Sequence, residues 1–249
     1  MSMNFLAVRS PLRRPAAVLA LGLLLLMGTT LPAGQPYLPP GLPDGIALLP
    51  PPPAHGSAVQ AADLESAREV FAGRTPELQA RAFRDASLSF SIFTPIIGSA
   101  LETHELPKTE ALMEKVKAEI GGIIDAPKDY FRRKRPYQVE PALTLGNSEP
   151  SYSYPSGHSV RGTVYSMILA EIFPEKREQL LAFGRAIGWD RVLIGKHFPT
   201  DVYAGRVLGK AIVRELMSSR RFRHDLAKAR KEAYAYRAPG AAPEPAMTW

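Results

Sequence analysis

The chain has 249 residues, with no cysteine, 24 prolines, and 31 Lys and Arg against 24 Asp and Glu. This length fits one fairly large domain or two small ones, and 45% hydrophobic with 22% charged residues is typical of a globular protein. The lack of cysteine excludes a disulfide scaffold, a thiol nucleophile and a cysteine zinc site. The net charge of +7 includes three arginines in an N-terminal segment that we expect to be removed. The rest is mildly basic, so we expect no nucleic acid binding.

Residues 1–33 have the order of a secretory signal peptide. Three arginines precede the apolar run Ala16–Met27, and small and helix-breaking residues then lead to Ala33, where cleavage is expected. The apolar run is about a dozen residues long, short of the ~20 that a membrane-spanning helix needs. We therefore expect cleavage rather than a retained anchor, a periplasmic or secreted protein, and no stable membrane insertion.

Three further segments follow along the chain. Residues 34–57 are crowded with proline, which favours extended backbone, and they form either a flexible leader or an ordered arm laid over the domain. Residues 58–237 carry apolar side chains at three- and four-residue spacing, whereas alternating runs are scarce. They predict an all-α domain, a compact helical bundle. Residues 238–249 are small and proline-rich, and we expect a flexible tail.

The predicted helices can be placed along this domain. They are Ala61–Ala72, Pro76–Asp85, Thr109–Ile124, Asp125–Arg135, Gly157–Phe173, Pro174–Ile194, Pro199–Met217 and Asp225–Tyr236. Two of them carry glycines one turn apart, Gly184 with Gly188 and Gly205 with Gly209. Such pairs let helix backbones approach closely, so we expect tight packing at these positions.

The first chemically informative stretch runs from Lys128 to Pro136. Lys128 and Arg135 are seven residues apart, which on a helix places both on one face. Pro136 pushes Arg135 towards extended backbone and ends the helix there. Two such cations could clamp a phosphate, with lysine as a point charge and arginine as a fork. Taken alone, the stretch is more typical of a solvated basic face.

The second stretch is Tyr-Pro-Ser-Gly-His, which ends at His158. Ser156 stands at the N-cap position of the next helix, and the exposed N–H groups there suit an anion. Ser156 either caps the helix only or caps it and also meets an oxyanion. His158 in the first helical turn is poorly placed as a structural cation, because the helix dipole disfavours a positive charge there. A nearby anion would remove that penalty, which favours a functional role.

The third stretch contains His197 in the corner between two predicted helices. Gly195 ends one helix and Pro199 begins the next, and Asp201 lies in the first turn of the new helix. A carboxylate on one imidazole nitrogen fixes the tautomer and leaves the other nitrogen as a nucleophile or base. Alternatively, Asp201 only complements the helix dipole and His197 is a satisfied corner residue.

Taken in order, the stretches form a three-part pattern. They read Lys, six residues, Arg-Pro; then Pro-Ser-Gly-His; then Arg, five residues, His, three residues, Asp. This pattern resembles the signature shared by bacterial non-specific acid phosphatases, type 2 phosphatidic acid phosphatases and vanadium haloperoxidases. The surrounding residues Leu48–Ala54, Ser153-Tyr154 and Asp201-Val202 are similar to the class A non-specific acid phosphatases. The resemblance covers about residues 45–236.

The resemblance implies a helical fold of the acid phosphatase and vanadium haloperoxidase type, and a role for each matching residue. His197 would attack phosphorus and become a phosphohistidine, with Asp201 orienting it. His158 would protonate the leaving alcohol and then activate water. The implied phosphate ligands are Lys128, Arg135, Arg191, the Ser156 hydroxyl and the Gly157 backbone N–H. No cofactor and no metal is implied.

We therefore expect an exported, metal-independent acid phosphatase that acts on small phosphomonoesters and transfers phosphate to alcohols as its relatives do. We expect inorganic phosphate to bind and vanadate to inhibit. The sequence is compatible with a monomer or a homo-oligomer. The alternatives are a vanadate-dependent haloperoxidase, a lipid phosphate hydrolase and a non-catalytic phosphate-binding module.

One position departs from the family pattern. Asp190 stands before Arg191, where the family usually has serine. If the side chain at this position only packs against its neighbours, aspartate in place of serine has no effect on phosphate binding. If its side chain faces the cleft, the carboxylate would repel substrate phosphate or hold Arg191 in a bidentate pair.

Overall fold

The computed structural model describes residues 34–86, 89–101 and 103–237, which contain helices and loops and no strand. The predicted signal peptide and the predicted tail lie outside these described residues. The α-helices are α1 Gly45–Leu48, α2 Ala58–Ala72, α3 Pro76–Arg84, α4 Thr94–Ile97, α5 Pro107–Phe131, α6 Pro136–Val139, α7 Gly157–Ile172, α8 Arg177–Leu193, α9 Pro199–Ser218 and α10 Arg220–Arg237. Short 3-10 turns lie at Phe90–Phe93, Ser99–Leu101, Pro141–Leu143 and Pro174–Lys176. The all-α prediction is confirmed.

Helix α7 forms the centre of the fold and packs against both α8 and α9. Most of its residues are buried, as expected for a helix that packs against neighbours on several sides. Glycines bring the backbones together: a Cβ atom on Gly184 of α8 would lie 2.5 Å from the Gly162 carbonyl oxygen, and one on Gly205 of α9 would lie 2.7 Å from the Ser156 carbonyl oxygen. The close packing predicted from the glycine spacing is therefore present. None of the described helices is both long and apolar enough to span a bilayer.

Helix α5 corrects one prediction from the sequence. The two helices expected over residues 109–135 are one continuous helix with Pro127 inside it, and it ends at Phe131 because Arg132 adopts the left-handed conformation at φ 50°. Lys128 and Arg135 therefore do not share a helix face, and that argument was wrong. Arg135 has extended backbone at the N-cap of α6, as the following proline requires.

The stretch before α2 is packed against the domain. Tyr37, Leu38 and Leu49 are buried in the main hydrophobic core. The backbone N–H groups of Tyr37 and Leu38 donate to the Glu119 carboxylate of α5 at 2.9–3.0 Å. The Tyr154 hydroxyl donates to the Pro50 carbonyl at 2.6 Å. These contacts join the proline-rich stretch to α5 and to the loop before α7.

Candidate active site

The corner between α8 and α9 presents His197. Gly195 makes this corner at φ +70°, and a Cβ atom there would lie 2.2 Å from the Leu143 carbonyl oxygen, so only glycine fits. The His197 backbone N–H donates to the Arg191 carbonyl at 3.2 Å, which folds the corner back onto the end of α8. The Ser156 N–H donates to the Asp201 carbonyl at 3.0 Å and joins the corner to the start of α7.

His197 is buried and paired with Asp201. The distance from His197 Nδ1 to Asp201 Oδ2 is 3.3 Å, and the same carboxylate oxygen accepts from the Ser153 hydroxyl at 2.5 Å and the Phe198 N–H at 2.9 Å. A carboxylate cannot donate, so Nδ1 carries the proton and Nε2 keeps its lone pair. Nε2 lies 3.3 Å from Arg135 Nη1.

The environment of His197 keeps its imidazole neutral. Burial lowers the pKa of His197 well below its ordinary value of 6.5, and Arg135, Lys128, Arg191 and His158 lower it further. The contact of Arg135 with His197 Nε2 and the hydrogen bond from the Ser156 N–H to the Asp201 carbonyl bring residues of all three predicted stretches together. A neutral imidazole is the nucleophilic form.

Lys128 and Arg135 converge on the loop before α7. Lys128 Nζ donates to the Tyr152 carbonyl at 2.6 Å, and Arg135 Nη2 donates to the same oxygen at 3.3 Å. Arg135 also donates from Nε to the Ser151 carbonyl at 2.8 Å. Burial and the neighbouring Arg135 lower the pKa of Lys128 to about 8. Two desolvated cations held mainly by neutral carbonyls leave a charge that an anion would compensate.

Arg191 is the third of the cations predicted to bind phosphate, and its side chain is only 3% exposed. One of its terminal nitrogens pairs with the Glu149 carboxylate, while its buried Nε has no hydrogen-bond partner in the described part of the chain. Burial lowers the pKa of Arg191, and the Glu149 charge opposes that shift.

The start of α7 positions Ser156 and His158. The Ser156 hydroxyl accepts from the Ser159 N–H at 3.3 Å, so it caps the helix, and Gly157 is the first helical residue. His158 Nε2 lies 3.0 Å from the Ala86 carbonyl oxygen, which can only accept, so Nε2 is protonated. Burial and Arg191 lower the pKa of His158 to about 3, which makes the unliganded imidazole neutral.

Asp190, the residue that departs from the family pattern, forms an ion pair with a helix outside the three stretches. Its buried carboxylate pairs with Arg81 of α3, which donates from Nε at 3.1 Å and also from Nη2. Asp190 therefore does not hold Arg191 in a bidentate pair. Asp85, at the end of α3, lies near this pair, and burial together with Asp190 raises its pKa to about 6. The carboxylate that replaces the usual serine thus ties α3 to α8.

Arg133 is a buried residue of this region that the sequence argument missed. It donates to Asp201 Oδ1 and to Asp63 Oδ2 of α2, both at 2.6 Å, and to Thr200 Oγ1 at 2.7 Å. Its guanidinium lies 4.0 Å from the centre of the Phe198 ring. Arg133 therefore holds Asp201 from the side opposite His197. In the sequence it was one cation within a basic run, with no local signal to distinguish it.

Chemically, the arrangement suits a phosphate group. A neutral, oriented imidazole lies among three buried cations and the N-terminus of α7, which are the groups that stabilise a phosphoryl anion. Within the described ranges, no group of three or more His, Asp or Glu side chains is arranged to hold a metal ion.

Comparison with known proteins gives a consistent result. The PAP2 superfamily matches residues 118–225. The chain is 30% identical to a non-specific acid phosphatase from Salmonella typhimurium over 194 residues, which are 74% of this chain and 78% of the relative. It is also 30% identical to an acid phosphatase from Zymomonas mobilis over 198 residues, 76% of this chain and 75% of the relative.

A solved structure shares the fold. It is the first transmembrane PAP2 type phosphatidylglycerolphosphate phosphatase from Bacillus subtilis, at a TM-score of 0.51 and 23% identity. The match covers 66% of this chain and 87% of that chain. At this identity the likeness concerns the fold alone.

Proposed function

We propose, from the premise that this chain belongs to the PAP2 superfamily and is related to its non-specific acid phosphatases, that it hydrolyses phosphomonoesters through a phosphohistidine on His197. One observation carries the proposal: the buried His197 is oriented by Asp201 through Nδ1, and its Nε2 lies beside the buried Arg135 guanidinium. The resting contact of Arg135 with Nε2 would give way to the bound phosphate.

In the first step, the Nε2 lone pair of His197 attacks phosphorus, and the bond from phosphorus to the ester oxygen breaks. Asp201 stabilises the imidazolium that forms, because it accepts from Nδ1. Lys128, Arg135 and Arg191 bind the non-bridging oxygens together with the Ser156 hydroxyl and the Gly157 N–H. His158 gives a proton to the departing alkoxide, which leaves as a neutral alcohol.

In the second step, His158 takes a proton from water as the water oxygen attacks phosphorus. The phosphorus–nitrogen bond breaks, inorganic phosphate leaves and neutral His197 is restored. An alcohol in place of water would give a new phosphomonoester, so the same step accounts for phosphotransfer. Vanadate, which adopts the five-coordinate geometry of the transition state, would inhibit.

The proton on His158 is linked to the substrate. With Nε2–H donated to the Ala86 carbonyl, Nδ1 is the nitrogen that exchanges a proton with the leaving group. A bound phosphate dianion raises the pKa of a neighbouring imidazole, which offsets the effect of burial and Arg191.

Three fixed cations supply the positive charge that a metal supplies in other phosphatases, so we propose a metal-independent reaction. Export to the periplasm or medium belongs to the same proposal.

The test is release of phosphate from p-nitrophenyl phosphate in EDTA across acid to neutral pH. We expect EDTA-resistant activity in the wild-type protein and a loss of at least about a thousandfold in kcat for His197→Ala, since the nucleophile is gone. His104→Ala, at an exposed histidine paired with Glu110, is the matched control and should keep full activity. Activity that survives in His197→Ala would refute the assignment of the nucleophile.

A further inference from the structure

One of the three cations proposed to bind phosphate, Arg191, is paired with an acidic side chain of the protein itself. Glu149, in the loop before α7, pairs with Arg191, and no other carboxylate is hydrogen-bonded to that guanidinium in the described part of the chain. Arg191 is 3% exposed, whereas the Glu149 side chain is 29% exposed. The cation is therefore fixed inside the site, and the carboxylate reaches it from the solvent side.

The backbone of Glu149 is fixed by independent contacts. Its N–H donates to the Tyr137 hydroxyl at 3.0 Å. Two residues earlier, the Asn147 carbonyl accepts from Lys196 Nζ at 2.6 Å, and Lys196 also lies 4.9 Å from the centre of the Tyr137 ring. The loop backbone thus keeps the carboxylate at the site, while the partly exposed side chain can still turn towards water.

The donors of Arg191 are only partly used in this arrangement. Its buried Nε has no partner among the described residues, so Glu149 leaves part of the guanidinium fork unsatisfied. A phosphate has three non-bridging oxygens and can accept from two guanidinium nitrogens at once, which a single contact from Glu149 does not achieve. A phosphate and the Glu149 carboxylate would therefore compete for one binding surface.

We propose that Glu149 is an internal competitor for phosphate at Arg191 and so lowers the affinity of the site for phosphate groups. The proposal rests on the function proposed above. A phosphomonoester must displace the carboxylate from Arg191 before all three cations can hold it, so Glu149 weakens the binding of substrate and of inorganic phosphate alike. Glu149 is hydrogen-bonded to neither His197 nor Asp201 and leaves Arg191 before the chemical steps begin, so its effect is on binding.

The test compares Glu149→Gln with wild type using p-nitrophenyl phosphate as substrate and inorganic phosphate as inhibitor. Loss of a charged contact to a partly exposed carboxylate should lower both KM and the inhibition constant of phosphate about five- to twentyfold. We expect kcat to stay within about twofold, because the carboxylate leaves Arg191 before the chemical steps. Glu171→Gln removes the charge of a carboxylate in the last turn of α7, which pairs with Arg177 and lies at the opposite end of the helix from Ser156 and His158. It is the control and should change neither constant.

Direct binding provides a second readout. Calorimetric titration with inorganic phosphate should show the same gain in affinity for Glu149→Gln, and a similar gain for Glu149→Ala. Unchanged KM and unchanged phosphate affinity in both folded variants would overturn the inference, and so would a raised KM with a lowered kcat. A wild-type protein that neither hydrolyses the ester nor binds phosphate would instead overturn the proposed function.

Discussion

The buried ion pairs of Arg133 predict that its removal lowers both the stability of the fold and the catalytic rate. Arg133 touches Asp63 and Asp201 at 2.6 Å each, and all three side chains are at most 5% exposed. In the variant Arg133→Met, both carboxylates lose their cation while their other hydrogen bonds remain. Loss of one partner from a buried ion pair costs about 3–5 kcal/mol, so we expect the free energy of unfolding to fall by about that amount.

The same substitution should reduce activity. Without Arg133, Asp201 loses a buried hydrogen-bond donor and its negative charge is less compensated, so it orients and stabilises His197 less well. Urea denaturation at pH 7, followed by tryptophan fluorescence, measures the stability change, and phosphate release from p-nitrophenyl phosphate measures kcat. Arg68→Met is the control, because Arg68 pairs with Glu65 and Glu140 at the surface. Surface pairs contribute little, so that variant should behave as wild type.

Adding Asp63→Asn to Arg133→Met distinguishes the two effects. The double variant no longer buries an unpaired Asp63 charge, so part of the lost stability should return, while kcat should stay low. An Arg133→Met protein that matched Arg68→Met in both stability and kcat would refute the reasoning.

Further predictions concern pH and packing. The pKa of Asp85 is raised to about 6 from its ordinary value of 3.8, so its ionisation destabilises the fold above pH 6. Asp85→Asn should therefore raise the free energy of unfolding at pH 7.5 by about 1–2 kcal/mol, allowing for solvent screening, with no gain below pH 4, measured by urea titration. Because the pKa of His158 is lowered to about 3, His158 is protonated only when a phosphate group is bound beside it. We expect kcat/KM to fall as pH rises through the second pKa of the phosphate, about 6, and to shift with that pKa across a substrate series. Gly205→Ala would place a Cβ atom 2.7 Å from the Ser156 carbonyl, so we expect a loss of about 1–3 kcal/mol in stability and reduced activity, measured by thermal unfolding and phosphate release.

Much of the site could be predicted because its residues are marked by local signals. Gly195 and Pro199 bound the corner that holds His197, and the four-residue spacing to Asp201 fixes their pairing. The Pro-Ser-Gly-His stretch marks the start of α7 in the same way. These features depend on chain conformation within a few residues, which the sequence carries directly.

Other features depend on contacts between distant parts of the chain. Asp190 pairs with Arg81, 109 residues away, and Arg133 pairs with Asp63, 70 residues away. The two predicted helices over residues 109–135 are one helix because Pro127 is accommodated within α5, and the helix ends at Arg132. The contact of Glu149 with Arg191 depends on a loop whose course is set by Tyr137 and Lys196. None of these contacts has a local pattern that would identify it.

The central claim is that the reaction passes through a covalent phosphoenzyme on His197. Rapid mixing with p-nitrophenyl phosphate, quenching in alkali to preserve phosphohistidine, and mass spectrometry of the peptides tests it directly. We expect a phosphate on His197 in the wild-type protein and none in His197→Ala. An active enzyme that releases p-nitrophenol while its His197 peptide stays unmodified, or that carries the phosphate on another residue, would contradict the claim.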